Sequence, residues 1–278
     1  MRGLIIDVGA NEGLFALQQA QENPSHLVVA IEPIPELAIE IERKGKARNL
    51  QNLLVLQVAI DSTRGTKTLH VSDAFSKGTS SLLNFVAYEK LNAYWGTRPD
   101  SLSNKSISVN CLTLEELLLN LVDSYEAYEI QHLPIDFIKI DVQGKDIEAL
   151  LSAGIFIKKI RAGMIEAPVQ IEDSIYEGDQ KSLAKCVEIL NQLDFKIYQL
   201  KPNDPEMVEY NIYFSQSNFD IEAHVSKLRL KNNDIYFGNV NPAIDIENLI
   251  KSYQNSLSMK ITIPIRAVRK IVNKILFS

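Results

Sequence analysis

Two glycines four residues apart, Gly9 and Gly13, follow the apolar run Leu4-Ile5-Ile6, and the carboxylates Asp7 and Glu12 stand beside them. Glycine lacks a Cβ, so it takes positive φ cheaply and lets a ligand approach the main chain at the mouth of a helix. The dinucleotide fingerprint places three glycines as G-x-G-x-x-G and offers bare amides to a pyrophosphate. Here the third glycine is missing, and two negative charges would repel a pyrophosphate. They would attract a ligand carrying an ammonium and a sulfonium group. S-adenosylmethionine (SAM) is such a ligand. An isolated G-x-x-x-G also describes a plain strand-to-helix turn with Glu12 complementing the helix dipole, so the rest of the chain has to decide.

Two further carboxylates sit at the ends of apolar runs. Glu32 comes roughly 20 residues after the glycine turn, where an acidic side chain hydrogen-bonds ribose hydroxyls in doubly wound nucleotide sites. That position fits an adenosine ligand without choosing between SAM and NAD, and a carboxylate capping the next helix would look the same. Asp141 ends the run Ile135-Asp136-Phe137-Ile138-Lys139-Ile140 and precedes Gly144. Period two puts Phe137, Lys139 and Asp141 on one face of that strand. Asp141 should therefore emerge at the carboxyl edge of the sheet, where such folds bind their ligands.

The elements that would position these groups follow from the hydrophobic period. Residues 4–8 form a strand, a helix follows Gly13, residues 27–31 form a second strand, residues 35–48 a helix and residues 53–60 a buried strand. Two βα units and a third strand argue for a parallel sheet with right-handed crossovers. Residues 66–71 alternate like an edge strand. Residues 72–106 are rich in Ser, Gly and Asn and hold Phe75, Phe85, Tyr88, Tyr94 and Trp95. A stretch this long without periodicity reads as a binding loop. We expect an acceptor-binding cap over about residues 62–112, with ordinary packing under a loop as the alternative.

Residues 107–112 read as another strand, and Thr113 with Glu116 makes a capping box that opens a helix. After the strand ending at Asp141 come a strand over residues 161–166, a helix over 181–193, and two strands over 196–200 and 209–214 joined by a Pro-rich turn. The expected fold is α/β and Rossmann-like, that of a class I methyltransferase: a mostly parallel seven-stranded sheet with helices on both faces and an antiparallel C-terminal strand. Its domain would span residues 1–217, with a C-terminal extension over 218–278.

The totals restrict the field. At 278 residues, 46% hydrophobic and 23% charged, the chain is an ordinary globular one with length for a sizeable core. A net charge of −6 argues against general nucleic-acid binding. Cys111 and Cys186 form neither a disulfide framework nor a metal spacing, so a reducing cytoplasm is the expected setting. Asp7 interrupts the only N-terminal apolar run, which does not suit a signal peptide. No run of about 18 apolar residues occurs, so no span of a membrane is expected.

Several blocks now resemble one family, the FkbM-type methyltransferases. They are Ile6-Asp7-Val8-Gly9-Ala10-Asn11-Glu12-Gly13, Ala30-Ile31-Glu32-Pro33, Val58-Ala59-Ile60 with Gly65, Ser80-Ser81-Leu82, Thr113-Leu114, and Asp136-Phe137-Ile138-Lys139-Ile140-Asp141-Val142-Gln143-Gly144. The resemblance implies SAM as cofactor and methylation of a hydroxyl on a sugar, glycan, polyketide or other natural product. It also implies that Asp7, Gly9, Asn11 and Gly13 line the methionine end, Glu32 the ribose, and Ala59 and Ile60 the adenine edge, with Glu12 at the mouth of the turn. Position 143 departs from the pattern: it is Gln where the family usually has Glu, which weakens any proposal of a metal or base there. The chain also starts almost at the first strand, whereas relatives carry upstream residues.

Methyl transfer is an in-line displacement that needs nucleophile and methyl held at about 3 to 3.5 Å. A hydroxyl acceptor gains from a general base, worth roughly 10²- to 10⁴-fold. Asp141 is the first candidate and Glu166, at the next strand end, the second; an ion pair with Lys139 or another cation is the plainer role for each. Of the four histidines only His70, near the expected cap, would be tested as a base. No His, Cys and carboxylate cluster has metal-ligand spacing, so no metal is expected.

Residues 264–278 recur at helical spacing with Ile265, Val268, Ile271, Val272, Ile275 and Leu276 on one side and Arg266, Arg269, Lys270 and Lys274 as the charges. Such a helix packs on its own domain, on a second copy, or on an anionic inner-membrane surface. The rival functions are a nicotinamide-dependent oxidoreductase and a SAM-binding scaffold without catalysis.

Overall fold

The computed structural model describes residues 1–72, 77–91, 93–97, 102, 105–124, 132–203, 208–217 and 219–228. The amphipathic stretch 264–278 lies outside the described residues, as does most of the extension. In chain order the elements are β1 (Leu4–Val8), α1 (Leu14–Glu22), β2 (Leu27–Ile31), α2 (Pro35–Ala47), β3 (Leu53–Leu56), β4 (Ala59–Ile60), β5 (Gly65–Val71), β6 (Asn84–Phe85), α3 (Ala93–Gly96), β7 (Lys105–Leu112), α4 (Leu114–Ser124), β8 (Ile135–Ile140), α5 (Asp146–Leu151), β9 (Ala162–Pro168), β10 (Tyr176–Glu177), α6 (Leu183–Gln192), β11 (Phe195–Pro202), β12 (Glu209–Gln216) and α7 (Ile221–Leu228).

Seven strands form one sheet in the order β11-β12-β9-β8-β1-β2-β3. β8 lies at its centre with β1 beside it, β1 runs parallel to both β2 and β8, and β12 alone runs antiparallel, to β9 and to β11. This is the Rossmann-like class I methyltransferase arrangement that the sequence pattern predicts. Alternation along β1 divides the core. Leu4, Ile6 and Val8 pack toward α4, α5 and α6, while Ile5 packs toward α1, α2 and α7. Phe137 shares the second face and meets Phe15 of α1 at 5.9 Å between ring centroids. Lys139 and Asp141 follow it by period two, so both carry their charge to the side on which α1 begins. The capping box forms as expected: Thr113 N donates to Glu116 Oε2 at 3.1 Å, and Glu116 N donates to Thr113 Oγ1 at 3.1 Å.

One expectation is corrected. The strand expected over residues 53–60 is broken at the exposed Gln57. Its first half, β3, is the half-buried edge of the main sheet. Its second half, β4, leaves to pair with β7 in a three-stranded sheet of order β4-β7-β5. The strand at 107–112 accordingly belongs to this second sheet and not to the main one. β5 is its edge, as the alternation in residues 66–71 suggests. A small cluster of Leu91, Trp95, Ile175 and Tyr176 lies beyond it, where β6 pairs with β10. Among the described residues no helix is long and apolar enough to cross a membrane.

Candidate active site

The carboxyl ends of β1, β2 and β8 open onto a cleft whose empty space, counted with the solvent at its open mouth, is about 610 Å³. Gly9 and Asn11 from the loop after β1 line it, as do Glu32, Ala59, Ile60, Asp141 and Gln143. Both glycines of the turn have positive φ, 78° at Gly9 and 76° at Gly13. A Cβ on Gly9 would fall on the carbonyl oxygen of Asp141, so the close passage of the β1 loop beneath the end of β8 requires glycine. A Cβ on Gly13 would meet Ile41 Cγ1 at 2.7 Å, so that glycine serves the contact of α1 with α2.

Glu32 is buried, and both of its oxygens accept backbone hydrogen bonds: Oε2 from Asn11 N at 2.7 Å and Oε1 from Ile34 N at 2.9 Å. Burial pushes its carboxyl up to about 7 against the pull of those two amides. Asn11 takes φ of 49°, a conformation that asparagine tolerates better than most residues. Its side-chain Oδ1 is buried and has no hydrogen-bond partner among the described residues. Ile31, Ile34, Leu37, Val58 and Leu69 add an apolar wall that suits the faces of a flat ring.

At the other end of the cleft lies a charged chain. Lys139 Nζ is 3.1 Å from Asp141 Oδ2 and 3.4 Å from Asp7 Oδ1, so one ammonium serves two carboxylates. Burial alone would lower the pKa of Lys139, but Asp141 and Asp7 hold it far above the ordinary lysine range. Asp7 is fully buried, and its Oδ2 accepts from Ala16 N at 3.2 Å in the first turn of α1. Asp141 keeps 29% of its side chain exposed, toward the cleft. Its Oδ1 accepts from Gln143 Nε2 at 2.7 Å. Gln143 in turn sits at φ of 60°, with its carbonyl accepting from Ser81 Oγ at 2.6 Å and its Oε1 accepting from Tyr176 OH at 2.7 Å.

The structure therefore brings together Gly9, Asn11, Glu32, Ala59, Ile60 and Asp141 and leaves other sequence candidates outside the cleft. Asp7 lies beneath the turn, where it ties α1 to Lys139. Glu12 does not line the cleft; its carbonyl accepts from Lys44 Nζ at 3.3 Å. Gly13 is likewise behind the wall. His70 exchanges two backbone hydrogen bonds with Ser81, and its ring meets the edge of Phe85 at 6.4 Å, away from the cleft. Glu166 is buried, and its Oε2 accepts from Asn203 Nδ2 at 2.7 Å. Burial and the neighbouring Glu209 push its carboxyl well up, and it does not reach the cleft wall. Among the described residues no group of three or more His, Cys, Asp or Glu could hold a metal ion.

Sequence reading missed Ser81 and Tyr176 as site residues. Gln143-Gly144 is legible as a turn, but Tyr176 is 33 residues further on, and no local pattern links the two.

Comparison with known proteins bears on the same region. The family described as "Methyltransferase FkbM domain" matches residues 7–200. No curated protein is similar to the chain at a significant level. The fold is similar to that of a SAM-dependent methyltransferase from Aquifex aeolicus, at 11% identity and TM-score 0.36, over 76% of this chain and 81% of that one. It is similar also to a precorrin-6y C5,15-methyltransferase from Geobacter metallireducens, at 14% identity and TM-score 0.37, over 78% and 82%. A third similar structure is Aeropyrum pernix fibrillarin with natively bound S-adenosyl-L-methionine, at 12% identity and TM-score 0.39, over 77% and 66%.

Proposed function

Since the chain belongs to the methyltransferase FkbM domain family and is a SAM-dependent methyltransferase, we propose that it methylates a hydroxyl group of a sugar, glycan or related natural product. The residues of the cleft fit the cofactor. Asn11 Oδ1, buried and without a hydrogen-bond partner among the described residues, is an acceptor suited to an ammonium group. Glu32 suits the ribose diol, and Ala59 and Ile60 with the apolar wall suit the adenine. Asp7 would act from below by fixing the start of α1, and Glu12 and Gly13 by shaping the turn. When bound, SAM supplies an electrophilic methyl group on a positively charged sulfur.

The observation that carries the hydroxyl reading is the position of Asp141. Its carboxylate stands at the end of β8 against the Gly9 loop, partly exposed to the cleft and held by Lys139 and Gln143. A hydroxyl oxygen that gains a methyl group must lose its proton, and Asp141 is the carboxylate placed to take it. Glu166 and His70 do not face the cleft and are not assigned that role. The segment over residues 62–112, with Phe85 packed on Tyr176 at 5.7 Å, would bind the acceptor. Incubation with methyl-labelled SAM and a panel of glycans, hydroxylated natural products, amines and RNA tests the reading. A methoxy product from a hydroxyl acceptor supports it. Label appearing only in amines or RNA overturns it.

A further inference from the structure

Asp141 is held from two sides, and the two sides differ in kind. Lys139 is a point charge that also answers to Asp7. Gln143 is an amide, with a donor end and an acceptor end, and its usefulness depends on which end faces Asp141. The amide NH₂ supports a carboxylate; the amide oxygen would repel it. Nothing on Gln143 itself selects between them.

Asp141, which as a carboxylate can only accept, takes the NH₂ end at 2.7 Å, and that leaves Oε1 facing Tyr176 OH, also at 2.7 Å. The phenol has one proton and a second acceptor within reach, the carbonyl oxygen of Thr79 at 2.9 Å, and the shorter contact is the one to Gln143. The backbone of Gln143 is fixed independently, at φ of 60° with its carbonyl on Ser81 Oγ. The ring of Tyr176 is buried against Phe85, so the phenol cannot swing away. Burial pushes the phenol well up, which keeps it a donor.

We propose that Tyr176 and Gln143 are positioning residues: Tyr176 anchors the oxygen end of the Gln143 amide, and the amide holds the Asp141 carboxylate facing the acceptor. The inference rests on the reading of Asp141 as the group that takes the acceptor's proton. It also gives the amide at position 143 a purpose. A carboxylate there would stand beside Asp141, and the pair would share a proton. Asp141 would then accept no further proton until the pH rose above the higher of the two apparent pKa values.

The test has an arm that needs no acceptor. The side-chain ¹⁵N–¹H signals of Gln143, assigned by their loss in Gln143→Met, should move in Asp141→Asn, which replaces the carboxylate they face. In Tyr176→Phe, which keeps the ring and its packing, they should move and respond less to Asp141→Asn. The kinetic arm compares kcat, KM and S-adenosylhomocysteine affinity. Tyr176→Phe should lower kcat by roughly three- to tenfold, the weight of a hydrogen bond between neutral groups, with cofactor affinity within about threefold. Gln143→Glu should shift the acid limb of the kcat profile to higher pH. Unaltered Gln143 signals in Tyr176→Phe, or a parental pH profile in Gln143→Glu, would overturn the relay. A relay seen by resonance in a protein that transfers no methyl to hydroxyls would leave the relay standing and remove the hydroxyl reading.

Discussion

The backbone nitrogen of Asn11 lies 2.7 Å from Oε2 of Glu32, joining the loop after β1 to the end of β2 along the lining of the cleft. The other oxygen takes Ile34 N at 2.9 Å, so one buried carboxylate fixes the start of two segments that line the site. Each oxygen retains a further lone pair for a ligand hydroxyl.

Cofactor binding should therefore be linked to a proton. Without ligand the Glu32 carboxyl is pushed up to about 7 by burial. Ribose hydroxyls donate to the ionised form and lower that value on binding. Affinity for S-adenosylhomocysteine should be full above about pH 7 and weaken as the pH falls below it, with a proton released on binding near neutrality. Calorimetric titration in buffers of different ionisation enthalpy reads that proton. An affinity constant between about pH 6 and pH 8, with no proton released, would contradict the placement of Glu32.

Asp7 should act on folding before it acts on binding. It is buried with Lys139, and Asp7→Asn leaves that ammonium with Asp141 alone. We expect a loss of roughly 3 kcal/mol, toward the lower end for breaking a buried ion pair. Denaturant unfolding measures it, and adding Lys139→Met should recover part. Unchanged stability with lost cofactor binding would return Asp7 to the lining of the cleft.

Gly9→Ala should destabilise by at least about 2 kcal/mol, because φ of 78° is strained for alanine and the new Cβ falls on the Asp141 carbonyl. Gly96→Ala is the control, since a Cβ there meets nothing within 4 Å. Thermal unfolding of the two variants against the parent checks the contrast.

How much of this was legible in sequence depends on distance along the chain. The β1 turn, the exit of Asp141 on the same face as Lys139, and the Thr113–Glu116 box are set by neighbours a few residues apart, and period and capping rules read them directly. The burial of Asp7 was not legible, because strand periodicity gives a face but not what covers it. The break at Gln57 needed β7 as a partner, some 50 residues away. Glu166 read as a second base from its strand end alone; Asn203, 37 residues on, is what occupies it. Tyr176 belongs to the same class: its contact with Gln143 exists only once β10 has paired with β6.

Asp141→Asn should lower turnover with a hydroxyl acceptor by on the order of 10²-fold or more while leaving S-adenosylhomocysteine affinity within a few-fold. The split between kcat and cofactor affinity is the diagnostic. A variant that binds cofactor normally and turns over at the parental rate would remove Asp141 from the chemistry.

The most direct measurement is calorimetric titration of the protein with S-adenosylhomocysteine and with NADH, repeated on Glu32→Ala. Saturable binding of the first ligand, no binding of the second, and a loss of at least about a hundredfold in the variant are the predicted result, since two hydrogen bonds to a charged group are removed. Binding of NADH, or S-adenosylhomocysteine affinity unchanged by Glu32→Ala, would contradict the assignment of this cleft.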